Sequence, residues 1–488
     1  MTNMFATGLL LFSVFFGILL GFSIRRSERI ELGLVPMNSE RYLPFTGLFW
    51  LYLAVPSILM DLLFLNDSAT QYLSLVFIIC LYDCLLLILL IPLRKIVKAK
   101  TCGWLWMMPL SGVYLFAKMS EAASKPLWVI RLGNGLSEEM HKVLLCVWLL
   151  GTAGVFGYFI ITHLQYKKKL KKNSYAVTDT DILQVWERER YLGRFPEKHL
   201  QLRISSQTQT PLSIGLFRRT TYVILPEKSY TAEELALIFR HELIHIGRKD
   251  NVVKFYMLLI TALFWFNPLM WLVMRYSADD LELSCDETVL IGCDQQTRKK
   301  YAELLLTTAA NQRGFTTCLS ASARALRYRM KHAMVNRKRS YGVLLICVAM
   351  LLVNMATLFV DFGYQSGTIR EQIFDHQDPK AYTLTEADVT IGENDVAYRD
   401  TQSEELVEYV FALPVSRLMR HYSGMGVQRP YAQIRMEAKD ESYVAIFWFF
   451  DDFLRVRTFS DGESAETCYI LHESVDWNYL ISLMEHFP

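Results

Sequence analysis

Five long apolar runs, separated by clusters of basic residues, constrain the fold of this chain more than any other feature of its sequence. The runs lie at about residues 4–22, 46–65, 72–93, 142–162 and 341–360. Each is close to the roughly 20 residues that a helix needs to cross the hydrocarbon core of a bilayer. Hydrophobic residues make up 52% of the 488 residues and charged residues only 20%, so we expect an α-helical polytopic membrane protein.

The basic clusters predict which side of the membrane each loop faces, because cytoplasmic loops carry an excess of lysine and arginine. These clusters lie at 25–41, 94–100, 167–172 and 324–339. All four are cytoplasmic if the N-terminus is outside and a shorter run, Trp104 to Phe116, also crosses. The length of that run and Pro109 equally fit an interfacial segment, but the parity of the other loops favours a crossing. We therefore expect five spans before the cytoplasmic region.

The string His241-Glu-Leu-Ile-His245 places two imidazoles one helical turn apart, the spacing with which two histidines bind one Zn²⁺. Thr231 and Glu234 form a capping box ahead of it, so the helix should begin near 231 and end near Gly247. Glu242 stands beside the two histidines as the expected general base.

A second string, Glu282-Leu-Ser-Cys-Asp286, supplies what the first lacks. On a helix Glu282 and Asp286 share one face, so Glu282 offers a third, anionic zinc ligand and Asp286 can accept the N–H of a zinc-bound histidine. Cys285 is an alternative thiolate ligand, but packing as a small apolar residue is the preferred interpretation. Together the two strings predict a zinc endopeptidase.

The segments around these strings predict a mixed fold. We expect an amphipathic helix from Asp179 to Arg190, then strands at Gln201 to Ser205 and Thr220 to Leu225. The second strand is either an ordinary sheet strand or an edge strand that holds the substrate backbone. Residues 252–275 are long enough to span, but a span would separate His245 from Glu282. They are therefore predicted to form a helical pair, bent near Pro268, that packs on the enzyme or dips into the inner leaflet.

The C-terminal tail is predicted to be a small external α+β domain that can bury its own core. Its expected helices and strands are 403–411, 475–487, Tyr431 to Glu437, Tyr443 to Phe450, Leu454 to Phe459 and Cys468 to His472. The aromatics Phe447 to Phe450 and Trp477 either line a ligand groove or, preferably, pack the core. Cys468 is the only cysteine of the tail, so the tail contains no internal disulfide.

The two strings, with Trp265-Phe-Asn-Pro268 between them, resemble the membrane metallopeptidases of the Bla/Mec β-lactam sensor-transducer (antirepressor) family. The resemblance covers roughly residues 140–360. It implies that His241, His245 and Glu282 bind zinc, that Glu242 is the catalytic base, and that Asp286 supports the ligands. It also implies a cytoplasmic repressor-type protein as substrate, and self-cleavage. The segment 311–324, rich in Gly, Ser, Thr and Ala, is either the expected site of this cut or an ordinary surface linker.

The tail departs from the best-known members of that family. It has no Ser-x-x-Lys, Ser-Asp-Asn or Lys-Thr-Gly string, so a sensor that captures β-lactams covalently is not expected. The chain also has two additional predicted N-terminal spans, at about 72–93 and 104–118. The sensed ligand is therefore unknown.

These observations predict four regions: an N-terminal transmembrane region (1–165), a cytoplasmic zincin-like (gluzincin) α+β metallopeptidase domain (166–340), a transmembrane helix (341–361) and an extracellular sensor domain (362–488). The expected function is a signal-transducing zinc endopeptidase of the cell membrane that cleaves itself, a transcriptional repressor or both, without binding nucleic acid directly. One alternative is a membrane-embedded zinc protease that processes membrane or lipidated proteins without a sensor role. Another is a non-enzymatic receptor with structural zinc, which the presence of Glu242 argues against.

Overall fold

The computed structural model describes residues 18, 83–107, 126, 128–131, 138–193, 200–215, 221–309, 323–335, 339–345, 347–349, 351, 360–374, 379–391, 394–401, 404–418, 431–440, 442–460 and 463–485. The predicted spans at 4–22, 46–65, 72–93, 104–118 and 341–360 lie wholly or partly outside these residues. Nearly all of the predicted self-cleavage segment 311–324 also lies outside them.

Within the described residues, one helix is long and apolar enough to cross a membrane. This helix is α3 (Glu138–Lys172), whose candidate span is Cys146–Lys172 and whose last turn is basic. It covers the predicted run at 142–162. A shorter apolar helix, α1 (Asp83–Leu93), and helix α2 (Ala99–Met107) precede it.

After α3 the chain forms a small four-stranded sheet packed against helices. Its elements are β2 (Ser174–Ala176), α4 (Thr180–Leu192), β3 (Gln201–Ser205), β4 (Leu212–Ile214), β5 (Tyr222–Pro226), α5 (Ala232–Arg248), α6 (Asp250–Leu263), α7 (Pro268–Val289), α8 (Gln295–Ala309) and α9 (Ala323–Met334). The strand order is β2-β3-β5-β4. The rings of Trp186 of α4 and Phe239 of α5 pack edge to face in the core between sheet and helices, with their centroids 5.0 Å apart.

Strand β5 is an ordinary internal strand, so the edge-strand interpretation of Thr220 to Leu225 is wrong. Val223 lies opposite Leu202 in the parallel pair with β3 and opposite Ser213 in the antiparallel pair with β4. Both sides of β5 are therefore hydrogen-bonded. The edges of this sheet are β2 and β4, each only three residues long and too short to give an alternating pattern in the sequence.

The apolar segment 252–275 folds as the predicted helical pair. Asn267 caps α7 by accepting from the N–H of Leu269, and Pro268 occupies the first helical turn, where its missing N–H is not needed. The pair lies along α3. Trp148 of α3 donates to the carbonyl of Leu263 at 2.7 Å, and a Cβ added at Gly151 would fall 2.2 Å from the Trp265 ring. The hairpin is thus fitted closely to the candidate span.

The C-terminal part forms a nine-stranded sheet with helices on one face. Its elements are β6 (Val360–Thr368), α10 (Ile369–Ile373), a 3-10 turn (Pro379–Ala381), β7 (Tyr382–Ile391), β8 (Asn394–Thr401), α11 (Glu404–Ala412), β9 (Pro414–Leu418), β10 (Tyr431–Ala438), β11 (Tyr443–Phe450), β12 (Phe453–Ser460), β13 (Glu463–Leu471) and α12 (Trp477–Glu485). With β1 (Trp128–Arg131) at one edge, the strand order is β1-β6-β9-β13-β12-β11-β10-β7-β8. The predicted helices and three of the four predicted strands are confirmed to within two residues at their ends. The prediction at Cys468 to His472 covers only the second half of β13, which begins at Glu463.

Two features of this sheet bear on the sequence predictions. Phe447 and Phe449 are buried in the core and Trp477 packs against it, so the core interpretation of these aromatics is confirmed. The first strand of the sheet, β1 (Trp128–Arg131), comes from the segment that precedes α3 and pairs in parallel with β6. A segment between two predicted spans therefore completes the C-terminal sheet.

Candidate metal centre

Helix α5 holds the first string in the geometry that the sequence predicts. Thr231 caps the helix, and the reciprocal capping box with Glu234 is present. The helix continues through Gly247 to Arg248, and Lys249 (φ 57°) takes the left-handed position that ends it. The predicted end at Gly247 is early because this glycine is buried inside the last turn and the chain enters α6 immediately after Lys249.

Three candidate ligand atoms converge between α5 and α7. His241 Nε2 and His245 Nε2 are 3.0 Å apart, and Glu282 Oε2 lies 3.6 Å from each of them. Atoms bound at about 2.0–2.1 Å to a tetrahedral zinc ion lie about 3.3–3.4 Å from one another. The two imidazoles and the carboxylate therefore fit a zinc ion with little movement.

Each imidazole is hydrogen-bonded through Nδ1, the ring nitrogen on the side away from the metal position. His245 Nδ1 is 2.6 Å from Asp250 Oδ2. His241 Nδ1 is 3.0 Å from the hydroxyl of Tyr301, which donates to Asp286 Oδ1 at 2.6 Å. Because each Nδ1 is engaged by a protein oxygen, each Nε2 is left to face the metal position. Asp286 thus supports His241 mainly through Tyr301, its own distance to Nδ1 being 3.5 Å.

Two cations balance the acidic side chains of α7. Arg329 Nε and Nη2 donate to the two carboxylate oxygens of Asp286 at 2.6 and 2.8 Å. Arg329 Nη1 also lies 3.4 Å from Glu282 Oε2. Lys254 Nζ donates to the other oxygen, Glu282 Oε1, at 2.9 Å. Glu282 can therefore present Oε2 to a metal while Oε1 stays bound to a lysine.

The electrostatics of the pocket favour a positive charge between the imidazoles. Burial alone would lower the pKa of His241 and of His245, but Cys285 and Glu282 outweigh it and raise the pKa of His241 to about 10 and that of His245 above its usual range. Burial would raise the pKa of Glu282, whereas Lys254 and His245 hold it well below its usual range. A metal cation can supply the same charge once the imidazoles lose their protons.

Cys285 packs as predicted but also faces the centre. It is fully buried in the core between sheet and helices, and its Sγ lies 3.4 Å from the carbonyl oxygen of His241. Its sulfur and the nitrogens of His241 and His245 all lie within 4.8 Å of one another. Cys285 is therefore near enough to offer an additional sulfur donor beside the nitrogen and oxygen donors.

Glu242 is buried on α5, in the same helical turn as His241. The structure thus brings all five predicted site residues into one region. Sequence reasoning assigned no role to Asp250, Tyr301 or Arg329. Of the three, only Asp250 could have been found from its position in the sequence. It is a carboxylate five residues after His245, just beyond the end of the histidine helix. Tyr301 and Arg329 come from α8 and α9, and no spacing in the sequence relates them to the histidines.

Comparison with known protein families matches residues 78–337, more than half of the chain, to the family described as BlaR1 peptidase M56. The regulatory protein BlaR1 of Bacillus licheniformis is 28% identical over 220 residues, which are 44% of this chain and 36% of the relative. The methicillin resistance mecR1 protein of Staphylococcus aureus is 24% identical over 176 residues, 35% of this chain and 29% of the relative. The aligned part thus spans about a third of the length of these relatives.

Proposed function

This chain belongs to the BlaR1 peptidase M56 family, whose members are zinc metallopeptidases, and on this premise we propose that it is a membrane-embedded zinc endopeptidase that transduces a signal. The observation that carries the proposal is the convergence of His241 Nε2, His245 Nε2 and Glu282 Oε2 at the spacing of zinc ligands. We assign zinc binding to these three residues. Asp286 orients His241 through the hydroxyl of Tyr301.

The chemistry follows from the residues around that position. Zinc held by His241, His245 and Glu282 would supply Lewis-acid activation of water and of the peptide carbonyl of the substrate. Glu242 accepts the proton of the attacking water and delivers it to the leaving amine. Asp250 and Tyr301 keep the two imidazoles oriented, so that their Nε2 atoms stay aimed at one point. Lys254 holds the carboxylate of Glu282 in place.

The pairing of β1 with β6 supports the proposed topology. Trp128 lies opposite Val360 and Arg131 opposite Gly363, so the two segments share one side of the membrane. Two predicted spans, 142–162 and 341–360, separate β1 from the tail, so both lie on one side whether or not residues 104–118 cross. The basic clusters then favour the extracellular side for both. We therefore propose that the N-terminus is outside, that residues 1–165 and 341–361 span, that the peptidase domain at 166–340 is cytoplasmic, and that residues 362–488 are extracellular.

The signalling role rests on the relatives. They are named as a regulatory protein and a methicillin resistance protein, so we propose that the external domain senses a ligand or envelope stress. The active site then cleaves the chain itself within 311–324, a cytoplasmic repressor-type protein, or both. A second candidate is the processing of membrane or lipidated proteins. It is favoured by the hairpin α6–α7, which lies along the candidate span and brings the metal centre towards the membrane.

The proposal is tested on the purified full-length protein by elemental analysis for zinc together with cleavage assays. We expect Glu242→Ala to retain near-stoichiometric zinc and to lose proteolysis of the chain and of a co-expressed repressor-type substrate, because Glu242 moves protons without holding the metal. His241→Ala should lose both properties. Glu303→Ala, which removes an exposed glutamate of α8, is the matched control and should keep both. Wild-type cleavage by Glu242→Ala would refute the peptidase mechanism.

The same variants separate the two candidate functions. If the protein transduces a signal, loss of cleavage should abolish induction of the genes that the repressor controls. If it only processes membrane or lipidated proteins, Glu242→Ala should leave such induction unchanged and should accumulate uncut membrane proteins. Deleting residues 362–488 sharpens the distinction, since only a transducer depends on the external domain for regulated cleavage.

A further inference from the structure

Helix α9 belongs to neither metal-binding string, yet one of its side chains reaches both acidic residues of α7. The guanidinium of Arg329 makes two parallel hydrogen bonds to Asp286, at 2.6 and 2.8 Å, and its third nitrogen is 3.4 Å from Glu282 Oε2. Only 13% of the Arg329 side chain is exposed. This fork geometry is the strong, specific form of an arginine–carboxylate contact.

The neighbours of Arg329 show that α9 is placed by specific contacts. The preceding residue, Tyr328, donates its hydroxyl to the carbonyl of Arg94, at the end of α1. Arg327, two residues before Arg329, is exposed on the other side of the helix. Residues Tyr328 and Arg329 thus tie α9 to two different parts of the molecule. Arg327 offers an arginine on the same helix that does not touch the centre.

We propose that Arg329 is a positioning residue of the metal centre, and that the centre holds zinc tightly only while α9 is docked on α7. The guanidinium fixes Asp286, whose Oδ1 accepts from Tyr301, whose hydroxyl in turn contacts Nδ1 of His241. It also lies beside the metal-facing oxygen of Glu282. One side chain therefore orients two of the three ligands. This inference rests on the proposed zinc site.

The physical argument is the number of charges that this small volume contains. Asp286 is buried, and within four residues of it Glu282 carries a second carboxylate. Without Arg329, the Asp286 carboxylate would keep, of its hydrogen bonds with described residues, the one from Tyr301. Leaving a buried charge without its charged partner is strongly unfavourable. The Asp286 side chain would then turn away, and the hydrogen bond through Tyr301 that orients His241 would be lost with it. Mutating a residue that is hydrogen-bonded to a metal ligand typically lowers metal affinity by about 10–100-fold.

A purely structural ion pair is the competing explanation, and the two make different predictions. A structural pair would change the midpoint of thermal unfolding and leave the rate of zinc release from the folded protein unchanged. A positioning residue must change that rate. The variant Arg329→Lys distinguishes the two explanations further, because lysine retains the charge but cannot form the two parallel hydrogen bonds.

The test measures zinc release from the zinc-loaded full-length protein in detergent, after mixing with a chromogenic chelator, below the unfolding temperature of each variant. We expect Arg329→Ala to release zinc at least about tenfold faster than wild type, with Arg329→Lys intermediate. Arg327→Ala should release it at the wild-type rate. Equal rates for Arg329→Ala and wild type would overturn the inference. Should Arg329→Ala not fold, Arg329→Lys decides alone: faster release than from Arg327→Ala supports the role, and equal release overturns it.

A double variant checks the route through Asp286. If Arg329 acts mainly by fixing Asp286, then Arg329→Ala should accelerate zinc release much less in an Asp286→Asn background than in wild type. Full additivity would contradict that route. The failure of this inference is distinguishable from that of the proposed function, since a wild-type protein without bound zinc refutes the latter, whereas normal zinc content with no effect at Arg329 refutes only the former.

Discussion

The peptidase region and the C-terminal sheet bury different kinds of side chains. Around the metal centre, charged or titratable groups are buried on several helices, among them Glu242, His245, Asp250 and Asp286. In the described part of the C-terminal region, only Asp361 and Ser416 are buried polar or charged residues. Because a buried charge is unfavourable unless paired, such a concentration marks a place where chemistry has been selected over stability. The sheet, by contrast, is built around an apolar core.

The two regions also differ in what their buried side chains do. In the peptidase region Asp250 pairs with His245, and Asp286 pairs with Tyr301 and Arg329. These contacts surround the two imidazoles of the metal centre. The apolar core of the sheet consists of residues such as Phe447 and Phe449 and specifies packing, not a ligand. The open face of the sheet carries paired charges, for example Glu466 between Arg455 and Arg457.

The largest expected effect is an all-or-none crosslink between β1, which precedes α3, and β6 of the C-terminal sheet. Ile130 of β1 lies opposite Phe362 of β6 in a parallel pair, where opposite residues share a face and can be joined by a disulfide. We expect Ile130→Cys with Phe362→Cys to form a disulfide in most molecules under mild oxidation. The measurement is mass spectrometry of the linked peptides.

The matched control shifts the register by two residues. Trp128→Cys with Phe362→Cys should crosslink poorly, because two Cα atoms more than about 7 Å apart cannot be bridged without backbone movement. Equal crosslinking of both pairs, or of neither, would contradict the register. It would also remove the observation that supports an extracellular position for residues 128–131.

The next effect tests the independence of the two regions. Phe447 is fully buried in the core of the sheet, so Phe447→Ala should lower the free energy of unfolding of the C-terminal domain by about 3–5 kcal/mol. The zinc content of the full-length protein should not change, since no ligand comes from this region. Thermal unfolding with parallel elemental analysis measures both quantities. Phe459→Ala, on the same sheet but 37% exposed, is the control for a milder loss. Zinc loss in Phe447→Ala would show that the metal centre depends on the sheet.

A smaller effect is expected at the metal centre. Tyr301→Phe removes the hydroxyl that joins Asp286 to His241 but keeps the ring and the Asp286–Arg329 pair. We expect zinc affinity to fall by about tenfold, with little change in thermal unfolding. Competition with a chelator of known affinity measures the change. Tyr191→Phe, at a tyrosine that is 84% exposed, should have no effect. A wild-type zinc affinity for Tyr301→Phe would show that the Tyr301 hydroxyl does not help to orient His241.

The comparison also shows what can be predicted from the sequence. His241, His245 and Glu282 are recognisable because each string occupies one face of one helix, where spacing alone sets the geometry. Tyr301 and Arg329 are not, because tertiary packing brings their helices to the site. The same contrast holds in the sheet. Strands β10 to β13 pair with their neighbours in sequence and are separated by turn residues, so they were predictable. Strand β1 is four residues long and is recruited by parallel pairing with a segment far along the chain.

The smallest expected effect concerns the paired charges on the open face of the sheet. Hydrogen bonds from Arg455 and then Arg457 hold the pKa of Glu466 below its ordinary value, although partial burial opposes them. A group with a depressed folded-state pKa stabilises the fold above its unfolded pKa, about 4.3 for glutamate, and this contribution is lost as the pH falls through the folded value. The side chains of Arg457 and Glu466 are partly exposed, so the contribution should be no more than about 1 kcal/mol.

Glu466→Gln isolates that contribution. The variant should be slightly less stable than wild type at neutral pH and should lose less stability between pH 5 and pH 3, because the titrating group is gone. Chemical unfolding of the C-terminal domain at both pH values measures the difference, with Glu473→Gln, at an exposed glutamate beyond β13, as the control. An identical pH dependence for Glu466→Gln and wild type would show that these ion pairs do not stabilise the sheet. Such a result would also sharpen the contrast with the peptidase region, where loss of the buried Asp286–Arg329 pair should make zinc release at least about tenfold faster.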